Sequence, residues 1–556
     1  MTAGPDAAGL ICPVRADGTP DGPAQRVPDL AAAVAARELS GDVRWVWRSG
    51  RLQYPRLLRS GVGIRRCHDV ELVGSLLRAR DGESRPLATG DETAVAPAAR
   101  TDRPMLPFEA GDSREPDRAA ELAAVLTAHA DQLDRIRANP DPARFGLLAA
   151  AESAGALAAA EMSAAGLPWR ADVHDRLLTG LLGPRPPVTA GPALRPARLS
   201  ELAAQITETL GAARPVNPES PAQLLRALAA GGVRVPSTRS AVLRRVDHPV
   251  VPLLLEYKEL ARLHAANGWS WLDAWVSGGR FRPEYVPGGV VSGRWASRGG
   301  GALQIPRLLR QAVVAEPGWT LVVADAAQLE PRILAALAGD RPFAQAAAAG
   351  DLYQAVAAAI GADRAQAKVA LLSAMYGGTG GDGGQSLALL RRRFPAAAAF
   401  VEDAARAGEE GHVVRSVLGR TCPQPSAAWR TLTSEPGDPD QARDPGAGPA
   451  ARARGRFTRN FVVQASAADW ALVMLALLRT RLRAARPAAA VPSAGQPELV
   501  FFQHDEVIVH CQAGDAAAVV AAVEGAAADA TRLVFGETDV SFPMTTAVVS
   551  CYSDAK

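Results

Sequence analysis

Lysine is almost missing from this sequence. Of 61 basic residues only three are lysines, Lys258, Lys368 and Lys556, and all the others are arginines. A GC-rich coding sequence presses lysine towards arginine in this way, so a lysine that persists marks a place where a compact, flexible point charge is needed. Cysteine is scarce as well. Cys12, Cys67, Cys422, Cys511 and Cys551 lie far apart, which excludes CxxC redox chemistry and zinc-ligand spacing and leaves reduced structural thiols. No uninterrupted apolar run approaches the roughly 18 residues that cross a bilayer, and the opening MTAGPDAAGL has neither a basic nor an apolar leader segment. The expectation is a cytoplasmic protein with no membrane partner. Excess charge is missing too: a net +3 is too small to argue for a polyanion on its own. Any such site must come from local clusters such as Arg391 to Arg393, Arg307 with Arg310, or Arg452, Arg454, Arg456 and Arg459. Taken alone, each of these is a solvated face.

With 556 residues, 48% apolar and 21% charged, the chain is large enough for several cores and too apolar to be disordered. Length suggests about three or four domains. Stretches rich in Pro, Gly and charge at 84–117, 183–197 and 434–453 read as linkers or long loops. Helical periodicity fills 118–165 and much of 199–275, and no repeat of fixed period is present.

Two places carry chemistry. In WTLVVAD, residues 319–325, an apolar strand ends on Asp325 and passes at once into AQLEPRILAALAG, a helix closed by Gly339. In FFQHDEVIVH, residues 501–510, two β-like runs are joined by His504 and Asp505, with Glu506 next to them. Alone, the second is an ordinary polar hairpin tip. Acids at the ends of buried strands, however, are costly unless solvated, paired or bound to cations. Two carboxylates brought together by neighbouring strands repel each other, and a pair of divalent cations about 3.5–4 Å apart relieves that repulsion while serving phosphoryl transfer. Magnesium suits such a site, because it takes one or two carboxylates together with substrate phosphate. In DRAQAKVALLSAMYGG, residues 363–378, Arg364 and Lys368 share one helix face and can grip a triphosphate, with Tyr376 two turns further on. Lys368 is one of the three lysines that persist.

The ordered motifs DAAQLEPR (325–332), RAQAKVALLSAMYGG (364–378) and QHDE (503–506) resemble the three polymerase motifs of family A DNA polymerases, the bacterial DNA polymerase I group. SGRWAS (292–297) and LQIPR (303–307) look like that family's approach to the palm, and the resemblance runs over about 145–556. It implies an α+β right hand, with an antiparallel palm sheet and helical fingers and thumb, adding dNTPs to a primer 3′-hydroxyl on a DNA template. Asp325, Asp505 and Glu506 are implied as the catalytic acids, with Asp325, Asp505 and the backbone of Ala326 holding two Mg2+ ions. Arg364, Lys368, Leu372, Tyr376, Gln328, Glu330 and Tyr353 are implied around the dNTP, Glu330 as the gate against a 2′-hydroxyl. Arg294, Gln304, Arg456, Asn460, Gln464 and His504 are implied as contacts to primer-template DNA; Arg456, Asn460 and Gln464 stand at helical i, i+4, i+8 spacing. A monomer, cytoplasmic and associated with the bacterial nucleoid, is what the family suggests.

The sequence departs from the family at Pro331, usually aliphatic, at Leu372, usually aromatic, at Tyr353, usually histidine, and in LQIP, which lacks an asparagine. These changes bear on nucleotide affinity and sugar selectivity, while both metal-binding aspartates persist. The resemblance divides the chain into a reduced exonuclease-like (RNase H-like) α/β domain at 1–145, thumb and connecting helices at 146–285, palm at 286–340 and 456–556, and fingers at 341–455. The first strand candidate, 42–50, has no Asp-x-Glu pair, and Asp69 and Glu71 open an apolar helix where Asp69 is expected as an N-cap. A degenerate exonuclease domain without proofreading is expected, and the chain is too short for a 5′-nuclease domain as well. Two rival readings are a DNA-binding relic without chemistry, against which Asp325, Asp505 and Lys368 argue, and a single-subunit RNA polymerase, against which Glu330 argues.

Overall fold

The structure, a computed structural model, describes residues 1–3, 7–83, 118–187, 195–298, 301, 305–377, 383–433, 447–484 and 495–555. The break expected at 84–117 lies outside the described residues, as do 188–194 and 434–446 of the other two and Gln304 of the LQIP segment. The chain forms two compact units. One comprises Met1–Gly166, Glu284–Arg298 and Pro317–Val549, the other Leu167–Pro283, Gly299–Glu316 and Ser550–Lys556.

The first unit opens with three short antiparallel strands, β1 (Thr2–Ala3), β2 (Gly9–Ile11) and β3 (Gln25–Val27). They are earlier than the first strand expected from sequence, because two or three residues are too few to show an alternating pattern. Helix α1 (Leu30–Ser40) follows, capped by Asp29, whose side chain accepts from the Ala32 amide. Strand β4 (Arg44–Trp47), helix α2 (Gly50–Arg59) and strand β5 (Arg66–Asp69) make a parallel pair, and the Met1 amine donates to the Val46 carbonyl at 2.7 Å. The core here is Val34, Trp45, Trp47, Tyr54, Ile64 and Leu157. Neither β1 nor β4 carries a carboxylate. Asp69 ends β5 and caps α3 (Val70–Arg80) through the Leu72 amide, while its second oxygen accepts from the Gly50 amide at 2.6 Å. Burial pushes this carboxyl up to about 6. Helices α4 (Arg118–Arg137) and α5 (Pro142–Ala165) complete the region. Although α5 is long and apolar enough to cross a membrane, 78% of its apolar window is buried inside the protein.

The second unit is a helical stack with a small sheet: β6 (Leu167–Pro168), α6 (Ala171–Leu182), α7 (Ala197–Thr209), α8 (Pro221–Ala230), α9 (Ser240–Leu243), α10 (Val250–Asn267), α11 (Trp269–Trp275), β7 (Val276–Ser277) and β8 (Arg280–Phe281). Leu178, Leu202, Ile206, Leu224, Leu254 and Tyr257 fill its core.

Back in the first unit, the hairpin β9 (Glu284–Val286) and β10 (Ala296–Arg298) precedes the main strand β11 (Trp319–Ala326). Among the described residues seven helices then intervene: α12 (Leu329–Leu337), α13 (Arg341–Ala348), α14 (Leu352–Ile360), α15 (Arg364–Tyr376), α16 (Gly383–Arg393), α17 (Pro395–Glu409) and α18 (Ala427–Thr433). The long α19 (Ala447–Ala484) leads to β12 (Glu498–Gln503), β13 (Glu506–Gln512), α20 (Ala516–Phe535) and β14 (Met544–Val549). The four strands pair antiparallel in the order β12-β13-β11-β14. Leu321 to Ala324 are all buried, which is why β11 reads as a continuous apolar run. An antiparallel sheet with helices grouped around it is the α+β class expected from the sequence.

Candidate active site

Strand register brings the two acids together. Asp325 stands opposite Glu506 on β13 and opposite Thr545 on β14, and the Ala326 amide donates to the backbone carbonyl of Asp505 at 3.1 Å. The β12–β13 turn is tight: Gln503 pairs with Glu506, and His504 between them has φ of 59°, a left-handed conformation that costs a non-glycine residue energy. Asp325 and Asp505 are half-buried, Glu506 is buried and His504 is exposed. Burial, and next the charge of Asp325, push the Asp505 carboxyl up to about 7. The nearby Arg294 offsets this only in part.

That pair fits a hard divalent cation. Its donors are oxygens only, and among the described residues no group of three or more His, Cys, Asp or Glu converges on one point. Such a site suits an ion that completes its shell with water and substrate phosphate.

Beyond β11 the chain enters α12 through Gln328, which also has a left-handed backbone, φ 57°. Gln328 donates to Asp351 at 2.8 Å and accepts from the Leu352 amide at 2.8 Å, fixing the turn to the start of α14. Pro331 sits in the first turn of α12, where no intrahelical amide bond is lost, so the departure is tolerated there. Buried Arg332 donates to the Ala327, Ser541, Ala349 and Gly350 carbonyls and locks the same turn. Neither Arg332 nor Asp351 is singled out by sequence reasoning. An arginine inside an apolar helix and an aspartate before a helix are the signals that could have found them.

Helix α15 is bounded by an Asp363–Gln366 capping box and by Gly377 at φ 76°. Arg364 and Lys368 are exposed on it, Leu372 is half-buried and Tyr376 is exposed. Arg364 pairs with Asp351 at 2.7 Å and lies 5.6 Å from the centroid of the buried Tyr353 ring. Lys368 has no ion-pair partner among the described residues. Although burial opposes ionisation, hydrogen bonds from Arg364 and Gln328 hold the Asp351 carboxyl low, at about 2. Glu330 joins three elements: it pairs with Arg294 and accepts from the Tyr376 hydroxyl. A cavity of about 30 Å³, large enough for about one water, lies beside Arg294, Glu330, His504 and Asp505.

On α19 every residue from Phe461 to Leu475 is buried except Gln464. Arg456 is exposed, Asn460 and Gln464 are half-buried, and the three form one stripe. Behind Arg294, Gly293 has φ 85°, and a Cβ there would come 2.4 Å from the Arg420 guanidinium. Arg420 is buried between Glu152 at 2.6 Å and Asp469 at 2.9 Å. Sequence reasoning therefore finds the residues around the acids, while the buried charges that support them are visible only in three dimensions.

Residues 194–549 match the family model for DNA polymerase family A. A thermostable DNA polymerase I of Thermus filiformis is 27% identical over 297 residues, covering 48% of this chain and 32% of the relative. One from Thermus thermophilus is 35% identical over 117 residues, 19% of this chain and 14% of the relative. The matched stretch thus spans about a third or less of these relatives' own length. A solved structure of the POL domain of Pol1 from M. smegmatis, in complex with DNA primer-template and dNTP, has the same fold, with a TM-score of 0.72 at 19% identity over 99% of this chain and 96% of that one. With Asp325 in register at the sheet, Asp505 in the turn bonded to the Ala326 amide, and a family match that takes in well over half of the sequence, the chain belongs to DNA polymerase family A.

Proposed function

We propose that the protein is a template-directed DNA polymerase that extends a primer 3′-hydroxyl with dNTPs by nucleotidyl transfer. One observation carries this reading: the register that sets Asp325 beside Asp505, with the Ala326 amide bonded to the Asp505 backbone. In this reading Asp325, Asp505 and the carbonyl of Ala326 hold two divalent cations, magnesium by preference. When bound, these supply charge that activates the attacking oxygen and stabilises the leaving pyrophosphate. Glu506 and His504 support the turn beside the primer terminus. Arg364 gives up Asp351 to bind the triphosphate together with Lys368. Tyr353, where the family usually has histidine, backs the guanidinium, and Gln328 and Leu372 line the nucleotide pocket. Glu330, held by Tyr376 and Arg294, occupies the space a 2′-hydroxyl would need. Arg294, Arg456, Asn460 and Gln464 face the minor groove, whose acceptors are common to both base pairs, so pairing is sensed without reading sequence.

The proposed division is a degenerate exonuclease-like domain at 1–145, thumb at 146–285, palm at 286–340 and 456–556, and fingers at 341–455. A monomer acting in the bacterial cytoplasm on nucleoid DNA, in repair or replication, is the setting this reading implies. The test is extension of a primed template with each dNTP offered singly. Incorporation only of the nucleotide complementary to the first template base is expected; no incorporation, or incorporation regardless of template, would overturn the reading.

A further inference from the structure

A cavity of about 840 Å³ opens in the front region of the first unit, bounded by β2, β4, β5, α4 and α5 and remote in sequence from the motifs of the polymerase site. Its size lies in the range of small-ligand pockets, about 300–1,000 Å³. His68 and His129 line it, their ring centroids 4.7 Å apart, edge to face. The Gln132 amide donates to the Val70 carbonyl at 2.8 Å, so its oxygen accepts from His68 Nε2, also at 2.8 Å, which fixes the His68 tautomer and leaves Nδ1 as an acceptor. His129 is only 5% exposed, and its Nδ1 has no partner. A buried polar atom left unpaired is uncommon and points to a partner not yet in place. Burial and the neighbouring His68 lower the His129 imidazole to about 4, so at neutral pH it offers hydrogen bonds and no charge. Trp45 adds a flat indole wall whose Nε1 is committed to Glu38 at 2.8 Å.

The lining charge is one-sided. Among the described residues Arg15, Arg37 and Arg44 contribute, against the single acid Asp42, which Arg66 neutralises at 2.6 Å. Arg15 is paired with Asp21 at 3.0 Å, while among the described residues Arg37 binds only neutral oxygens, those of Ala33 and Gln25. Arg44 has no ion-pair partner among the described residues. Neutral imidazoles and an indole inside, with arginines exposed or half-buried beside them, suit a flat heteroaromatic ring carrying an anionic group.

We propose that this cavity is a metal-independent binding site for a nucleoside phosphate, with the base against His68, His129 and Trp45 and the phosphate on Arg37 and Arg44. It differs from an exonuclease centre in chemistry, since arginine and imidazole replace the acids that hold metals. It is also independent of the polymerase reading. The probe is adenosine 5′-monophosphate, measured by equilibrium dialysis or calorimetry against the full chain in EDTA, with adenosine and inorganic phosphate as separate arms. Saturable binding of the nucleotide, stronger than either arm alone, is expected. Arg37→Gln and Arg44→Gln should each weaken it about tenfold or more, as should His129→Leu, while Lys368→Ala leaves it unchanged. The two arginine variants remove only outer groups and should keep the melting temperature and primer extension of the unaltered protein. Absence of saturable binding at millimolar nucleotide, equal binding of phosphate and nucleotide, or binding lost in Lys368→Ala and kept in the arginine variants would each overturn the proposal.

Discussion

In the proposed function, a proton and a cation would compete for the Asp505 carboxylate. Burial and the charge of Asp325 raise its pKa to about 7 in the metal-free protein. Because the folded value lies above the ordinary one, the folded chain holds this proton more tightly than the unfolded chain does. The associated stability is present at low pH and is lost as pH rises from about 4 to about 7. Magnesium needs the ionised form, so the magnesium concentration for half-maximal extension should fall about fivefold between pH 6 and 7 and level off above about 8. A requirement independent of pH across that range would contradict the shared field of the two acids. Glu330 offers a second test at this scale. Its carboxylate is held between Arg294 and Tyr376, so Glu330→Ala should open the sugar pocket and raise ribonucleotide use by about 10- to 100-fold relative to dNTPs. Unchanged discrimination, read from single-nucleotide insertion rates, would remove Glu330 from the role of gate. Asp325, Asp505 and Lys368 were legible in the sequence, as acids at strand ends and a rare lysine on a helix. Asp351 was not, since its bonds to Arg364 and Gln328 arise only when β11, α14 and α15 meet.

Among the elements, the strands and helices nearest the acids were easiest to read. β11, β12 and β13 show buried runs broken by an acid, and α15 shows an Ala- and Leu-rich run closed by glycines, while its Asp363–Gln366 capping box went unread. Their antiparallel order depends on pairing between segments separated by most of the fingers, which no local pattern encodes. The strands β1 to β3 were unread because each is only two or three residues long. Buried ion pairs were equally hidden. Arg479 on α19 pairs with Glu161 of α5 at 2.7 Å and donates to the Ile64 and Arg65 carbonyls, and Tyr54 donates to the same glutamate at 2.5 Å. Nearby charge from Arg479 and Arg483 outweighs burial and keeps Glu161 ionised. Removing the arginine leaves that carboxylate buried and unpaired, so Arg479→Ala should destabilise the protein by about 3–5 kcal/mol in denaturant unfolding. A loss below about 1 kcal/mol would show that water reaches this site and that the pair binds nothing together.

Across the whole molecule, those contacts make the front region part of the same compact unit as the palm sheet and α19. Its strands β1 and β4 carry no carboxylate, and Asp69 is engaged by two backbone amides. No magnesium-dependent 3′ degradation of a mispaired primer is therefore expected from purified protein. Degradation that persists in Asp505→Ala protein would contradict this, because it would require a second metal centre. The measurement that bears most directly on the account is single-turnover extension of a matched primer by unaltered, Asp325→Asn and Asp505→Asn protein in excess magnesium. Each variant should keep its fold and its grip on primer-template yet lose about 10³-fold or more in rate, since in the proposed function each removes one of two carboxylates that would position the cations. Near-normal extension by either variant would contradict the account at its centre.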